Sequence, residues 1–195
     1  MTRFFSCLRP VSLAIFCISL SFTLPAQKEF KSKVEFAQAM QEGVLLVRLQ
    51  DKEKSIAQLQ QKGLTKEALK MAQRQARENR EILLSFKTTF NFCPVYFFYA
   101  KDSEAIRRGN FEGKVFDLER QLVSIPSNKT VFTGFFGETE ELGIDGFIVH
   151  DDQILPFQGN LPYFERRYGF FGLIEKSKAK MLKTYDKRLR NISGS

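Results

Sequence analysis

Residues 91–100, NFCPVYFFYA, join a cysteine and a proline to a run of aromatic residues. Pro94 lacks a backbone N–H and therefore fits the first position of a strand, and the aromatic residues after it favour extended structure. We predict a buried strand over residues 94–100. Cys93 enters that strand, where burial would raise the pKa of its thiol, so we expect a small apolar residue and not a reactive group.

A second strand is predicted upstream, over residues 44–49 (VLLVRL), because a nearly continuous apolar run is typical of a strand covered on both faces. Between the two strands, apolar residues recur at helical spacing on either side of residues 62–65, KGLT. This pattern predicts a helical hairpin with a long second arm, over residues 66–90. An N-terminal helix is predicted over residues 27–42.

Downstream, the sequence predicts a short helix over residues 103–108 and strands over residues 130–136 and 144–150. The short connection between those strands favours an antiparallel pair. A final helix is predicted over residues 174–190. From residue 44 the order is therefore β-αα-β-α-β-β-α, which indicates an α/β domain with a mixed sheet, an N-terminal helix and a long helical hairpin.

This order resembles that of a thioredoxin-like domain, in which two parallel strands joined by a helix precede a hairpin and a last helix. Thioredoxin-like oxidoreductases carry Cys-x-x-Cys just after the first strand, and residues 49–53 here read LQDKE, so the redox centre is missing. The segment NFCPVYFFYAKDSEA and the later LPYF are similar to an uncharacterised family of small exported bacterial proteins. That resemblance implies no activity and assigns no site residue.

The first 26 residues have the pattern of a secretory signal peptide. Arg3 and Arg9 precede an apolar run over residues 11–22, and Ala26 offers a cleavage point. We expect an exported protein, periplasmic or secreted, with one α/β domain and its helical extension over residues 27–195. No second long apolar run follows, so no transmembrane segment is expected in the mature chain. Loss of Arg3 and Arg9 lowers the formal charge from +8 to +6.

Few catalytic chemistries are compatible with this composition. His150 is the single histidine, which excludes zinc and iron sites that need two or three histidines from one chain. Glycine-rich phosphate loops are absent from the sequence, so we expect no nucleotide, and no cofactor or metal. Cys7 and Cys17 lie in the predicted signal, which leaves Cys93 without a disulfide partner. If the protein is an enzyme, the candidates are a thiol mechanism through Cys93 or a hydrolase using His150 with Asp151.

Two segments have the composition of a binding surface. In residues 157–171, FQGNLPYFERRYGFF, aromatic residues surround two arginines, and these types dominate binding hot spots. We take Tyr163, Arg166, Arg167 and Tyr168 as candidate binding residues; the alternative is that the aromatic residues fasten a long loop to the sheet. The last helix presents a basic ridge on one face, formed by Lys176, Lys180, Lys183, Lys187 and Arg190.

We therefore expect a non-catalytic binding protein of the periplasm or cell surface. Its partner is expected to be a protein or an anionic component of the envelope, which the basic ridge would attract. Nucleic acid is disfavoured because the predicted signal directs the chain out of the cytoplasm. The alternative is an enzyme that uses Cys93 or His150.

Overall fold

The structure, a computed structural model, describes residues 29–140, 142–169, 172 and 174–194. Its helices are α1 Lys33–Glu42, α2 Glu53–Gln61, α3 Thr65–Thr89, α4 Ser103–Arg107 and α5 Lys178–Ser193. Its strands are β1 Val44–Leu49, β2 Val95–Tyr99, β3 Val131–Glu138, β4 Asp145–His150, β5 Phe164–Arg166, β6 Tyr168–Gly169 and β7 Ile174–Glu175. The predicted signal peptide lies outside the described residues.

Within the described residues, the main sheet is mixed and has the strand order β2-β1-β3-β4-β5. β1 lies parallel to both β2 and β3, whereas β3, β4 and β5 are joined by antiparallel pairs. The predicted α/β class and its order of helices and strands are confirmed. β5 adds an edge strand to the predicted sheet, and β6 and β7 form a separate small hairpin. The resemblance to a thioredoxin-like domain stays a prediction.

One face of the sheet, which we call the helical face, carries the main core. Side chains of β1, β3 and β4 on this face pack against Phe36 of α1, Phe86 of α3 and Leu182 of α5. Phenylalanine supplies much of the contact: the Phe86 ring meets Phe97 edge-on at 5.8 Å and Phe147 at 5.7 Å between ring centroids. Edge-to-face pairs of this kind add about 0.5–1.5 kcal/mol each beyond the burial of area.

The opposite face, which we call the open face, is covered over only part of its width. Ile106 of α4 and Val115 of the following segment pack with Leu46, Phe98 and Val131, so this cover lies over β1, β2 and the start of β3. Side chains alternate between the two faces of a strand, so the open-face residues of β4 and β5 lie beyond this cover. There Ile148 and His150 are buried and Phe135 and Phe164 are half-buried, and this part of the sheet forms the candidate site.

Several helix boundaries differ from the predictions because side-chain caps decide them. α1 begins at Lys33 because the Ser32 hydroxyl accepts a hydrogen bond of 3.1 Å from the Glu35 N–H. α5 begins at Lys178, four residues later than predicted, because Ser177 caps it by accepting from the Lys180 N–H. Ile174, predicted to start that helix, lies in β7 instead.

The helical hairpin is joined to Gln50, the residue after β1, through hydrogen bonds of one side chain. The Asn79 side chain of α3 accepts from the Gln50 N–H at 3.0 Å and donates to the Gln50 carbonyl at 2.9 Å. α2 itself buries no side chain completely and packs on α3. The predicted helical extension is therefore anchored through α3.

Candidate functional site

Three apolar side chains on neighbouring strands form the floor of a cavity on the open face. The register places Phe135 of β3 opposite Ile148 of β4, and Ile148 opposite Phe164 of β5. All three line the cavity, which has a volume of about 660 Å³. Cavities of about 300–1,000 Å³ with mostly apolar walls are typical of small-molecule sites.

The two connections of the β3–β4–β5 meander form the walls. The β3–β4 connection contributes Thr139, Glu140, Leu142 and Ile144, and the β4–β5 connection contributes Pro156, Phe157, Gln158, Gly159 and Tyr163. Leu142 is 75% exposed, so its side chain offers apolar surface that the described part of the protein leaves uncovered. The cavity therefore combines an ordered sheet floor with a rim that carries both the apolar Leu142 and the carboxylate of Glu140.

His150 lies one strand position further along the same face and is only 5% exposed. Its Nδ1 lies 3.2 Å from the Ile154 carbonyl, which can only accept, so Nδ1 carries the proton and donates it. Burial lowers the pKa of His150, which favours the neutral ring. The described residues place no partner on Nε2, and the ring lines the cavity, so Nε2 is a hydrogen-bond acceptor available to a ligand.

Arg48 of β1 separates this cavity from the covered part of the open face. Its guanidinium lies 4.4 Å from the centre of the Phe135 ring, a cation–π contact, and forms no ion pair with a described residue. Burial lowers the pKa of Arg48, although an arginine stays charged at neutral pH. The charge of Arg48 also opposes protonation of His150.

Asp151 fastens the β4–β5 connection. Its Oδ1 accepts from the backbone N–H of Gln153 at 3.0 Å and of Leu155 at 2.8 Å, while the Thr133 hydroxyl donates to its carbonyl. Burial raises the pKa of Asp151. His150 Nδ1 bonds to Ile154 and not to this carboxylate, so the pair His150–Asp151 is not arranged as a histidine and its orienting acid.

Cys93 lies on the other side of the sheet, in the core of the helical face. Burial, with a smaller contribution from the Asp186 carboxylate, raises the pKa of its thiol to about 12. The sheet stands between Cys93 and His150, so these two residues do not meet. The structure therefore brings none of the three enzyme candidates into a catalytic pair.

The four predicted binding residues have different environments. Tyr163 lines the cavity wall. Arg167 forms ion pairs within the protein: its guanidinium pairs with Asp145 at 2.9 Å and with Glu175. These two ion pairs hold the small hairpin against β4. Arg166 and Tyr168 are exposed. The segment thus contributes both a cavity wall and a structural arginine.

Of the predicted basic ridge, only part is a free surface. Lys176 precedes α5, and its ammonium pairs with the buried Glu165 at 2.7 Å. Arg190 pairs with Asp186 at 2.8 Å on the same helix. Lys180, Lys183 and Lys187 are exposed and form no ion pair within the described part of the chain. The ridge is therefore reduced to these three lysines.

The described ranges contain no group of three His, Cys, Asp or Glu side chains that could hold a metal ion. They also contain no helix with the length and apolar character that crossing a membrane requires.

The predictions did not include Phe135, Ile148, Phe164, Glu138 or Glu140 among the site residues. The alternation along residues 131–138 and 145–150 places Phe135 and Ile148 on the same face as His150. This alternation is the sequence pattern that could have pointed to them as site residues. An apolar residue in that pattern indicates a core equally well, because the pattern does not show which part of a face a helix covers.

Comparison of the chain with protein family models, with curated proteins and with solved structures found no match. The resemblance to a family of small exported proteins stays a prediction. The cavity has an apolar floor, one neutral histidine acceptor and a rim that carries the Glu140 carboxylate, and this arrangement suits the binding of a small molecule.

Proposed function

We propose that this protein is a non-catalytic binding protein and that the cavity on the open face holds a small, largely apolar ligand. The observation that carries the proposal is the floor itself: Phe135, Ile148 and Phe164 lie side by side on three paired strands, beneath a cavity of about 660 Å³. A packed domain normally covers such a row with a helix or with another sheet. Ile148 is already buried, and an apolar ligand would remove from water the remaining exposed surface of the half-buried Phe135 and Phe164.

The cavity's chemistry supports binding over catalysis. His150 supplies one acceptor, but no described nucleophile or second base bonds to Nε2. The other reactive candidate, Cys93, lies beyond the sheet with the pKa of its thiol raised to about 12, so its thiolate is scarce at neutral pH. An enzyme acting through Cys93 or His150 is the alternative, and it would need a conformational change that brings a second catalytic group to one of them.

The site of action that we propose is outside the cytoplasm, in the periplasm or beyond the cell. This part of the proposal rests on the signal pattern of the first 26 residues. The N-terminus of the protein recovered from the envelope fraction or the medium tests it: sequencing is expected to start near Gln27. A chain that keeps residues 1–26 in the cytoplasm would contradict export.

Binding is tested with N-phenyl-1-naphthylamine, an uncharged dye whose fluorescence rises in apolar surroundings. The native protein is expected to bind the dye at one saturable site. Leu142→Ser removes an exposed leucine from the rim and should weaken binding about fivefold, the loss expected from about 1 kcal/mol of apolar contact.

Leu122→Ser is the matched control, because Leu122 is 67% exposed and lies outside the cavity. Both variants should keep the stability of the parent, since exposed substitutions change it by under about 0.5 kcal/mol. A dye affinity that falls equally in the two variants, or a native protein that binds no dye, contradicts the proposed site.

A further inference from the structure

Resting on the proposed function, we infer that the ligand of the open-face cavity is a protonated amine with an apolar or aromatic body. The ammonium group would lie at the mouth, beside Glu138 and Glu140, while the apolar body covers the row Phe135–Ile148–Phe164. This assignment goes beyond binding as such, because it names the charge and the hydrogen-bonding groups of the ligand.

The first observation is the charge at the mouth. Glu138 and Glu140 line the cavity and are exposed, and their carboxylates form no ion pair or side-chain hydrogen bond with any residue in the described ranges. Elsewhere in the same part of the chain, carboxylates that meet a cation are common: Glu165 pairs with Lys176 and Arg188, and Asp145 pairs with Arg167. In a chain of formal charge +8, two unpaired carboxylates at one cavity select for positive ligands.

The second observation is independent of the rim and lies deeper. His150 is 5% exposed, its Nδ1–H is used by the Ile154 carbonyl, and its Nε2 lone pair is left to the cavity. Nε2 is open to the cavity, so a ligand N–H can donate a hydrogen bond to it. Glu140 and His150 line the same cavity, so both acceptors face one bound ligand.

Two neighbouring arginines determine which end of the cavity can hold the ammonium group. Arg48 lies beside the floor, on the same face of the sheet, with its guanidinium on the Phe135 ring, so a positive group is repelled from that end of the cavity. Arg166 is exposed on β5, on the same face as Phe164, and forms no ion pair with a described residue. The ammonium group is therefore expected on the Glu138–Glu140 side, away from both arginines.

The test uses three probes with one shape and three charges: 1-naphthylmethylamine, which is protonated at pH 7, 1-naphthylmethanol, and 1-naphthoate. Each displaces N-phenyl-1-naphthylamine from the native full-length protein at low ionic strength. The amine is expected to bind about tenfold more tightly than the alcohol, because two carboxylates each contribute a factor of about three, and the naphthoate most weakly.

Variants assign the preference to the mouth. Glu138→Gln and Glu140→Gln together should remove the advantage of the amine while leaving the affinity for the alcohol unchanged. Arg166→Gln should raise the affinity for the amine, since it removes a competing positive charge. Glu104→Gln with Glu112→Gln is the matched control, because it lowers the negative charge equally on another exposed part of the surface.

The outcomes separate this inference from the proposed function. If the alcohol and the naphthoate displace the dye as well as the amine does, the cavity binds apolar molecules but the assignment of an amine is wrong. An advantage of the amine that survives the Glu138–Glu140 double variant also overturns the assignment. If the dye itself does not bind, the proposed function fails before the charge series begins.

Discussion

Asp186 of α5 is predicted to hold the turn before β2 in place. Its Oδ1 accepts from the Asn91 N–H at 2.9 Å and its Oδ2 from Arg190 Nε at 2.8 Å, while Arg190 also donates to the Asn91 side chain. These three residues form a clamp between α5 and the segment that leads into Cys93. Asp186→Ala removes the acceptor on which both other members depend.

The magnitude follows from the burial of each group. A partly buried N–H that loses its acceptor costs about 1–2 kcal/mol. The ion pair with Arg190 adds under about 1 kcal/mol, because the arginine is partly exposed and water replaces the carboxylate. Asp186→Ala should therefore lower the free energy of unfolding by about 2 kcal/mol, and Asp186→Asn, which keeps an oxygen for the Asn91 N–H, by under about 1 kcal/mol.

Urea unfolding followed by circular dichroism measures both variants. With a denaturant slope of about 2 kcal/mol per molar, the alanine variant should unfold at about 1 M less urea than the parent, with the slope unchanged. A thiol reagent gives a second measurement, because Cys93 follows the clamp directly: labelling of the native alanine variant should be faster than that of the parent. If Asn costs as much as Ala, the lost charge and not the lost acceptor accounts for the effect, and the reasoning is refuted.

Three further predictions concern the sheet, the histidine and the ridge. Gly146→Ala should lower stability by about 1–3 kcal/mol, since an added Cβ would collide with the Glu165 carbonyl oxygen. Gly169→Ala, whose added Cβ has its nearest contact at 3.6 Å, should be nearly neutral in the same urea assay. Burial lowers the pKa of His150 below 6.5, so the unfolded chain takes up the proton first and stability should decline as the pH falls below 6.5. The charges of Glu140, Asp151 and Arg48 also act on this ring. If His150→Gln loses stability equally over the same pH range, the decline does not come from His150. Binding of the protein to anionic lipid vesicles through Lys180, Lys183 and Lys187 should weaken between about 0.1 M and 1 M salt, because the screening length falls. If replacing all three lysines with Gln leaves this binding unchanged, the ridge is not the surface that binds the vesicles.

The sheet was predictable because its strands are marked by local composition. The apolar run of β1 and the aromatic run of β2 appear as strands without any knowledge of their neighbours, and Pro94 marks the start of the second. The period of 3.6 residues identified α3 in the same way. Each of these patterns is local to one segment of the sequence, so the fold class and the order of these elements could be predicted without knowing the tertiary contacts.

The role of Arg167 was not predictable from the sequence, because its partners are distant along the chain. Asp145 and Glu175 lie 22 and 8 residues away and reach the guanidinium only after β4, β5 and the small hairpin are in place. From composition, an arginine beside aromatic residues indicates a contact surface. The folded chain shows that this guanidinium already has two carboxylate partners.

The cavity was not predictable for a related reason. Phe135 and Ile148 alternate with core residues of β3 and β4 as core side chains would, and sequence alone does not show that the cover around α4 ends at the start of β3. The cover depends on the path of the segment after α4. His150 could be singled out as a candidate, but its neutral form and its free Nε2 follow from burial and from the Ile154 carbonyl.

A map of amide chemical shifts shows directly whether the open face binds a small molecule. The ¹⁵N-labelled protein is titrated with N-phenyl-1-naphthylamine, and each backbone amide is followed. We expect the largest shifts on Phe135, Ile148, Phe164 and the two connections that form the walls, with α3 and α5 nearly unchanged. Shifts concentrated on α5 and β2, or spread evenly over the chain, would contradict it.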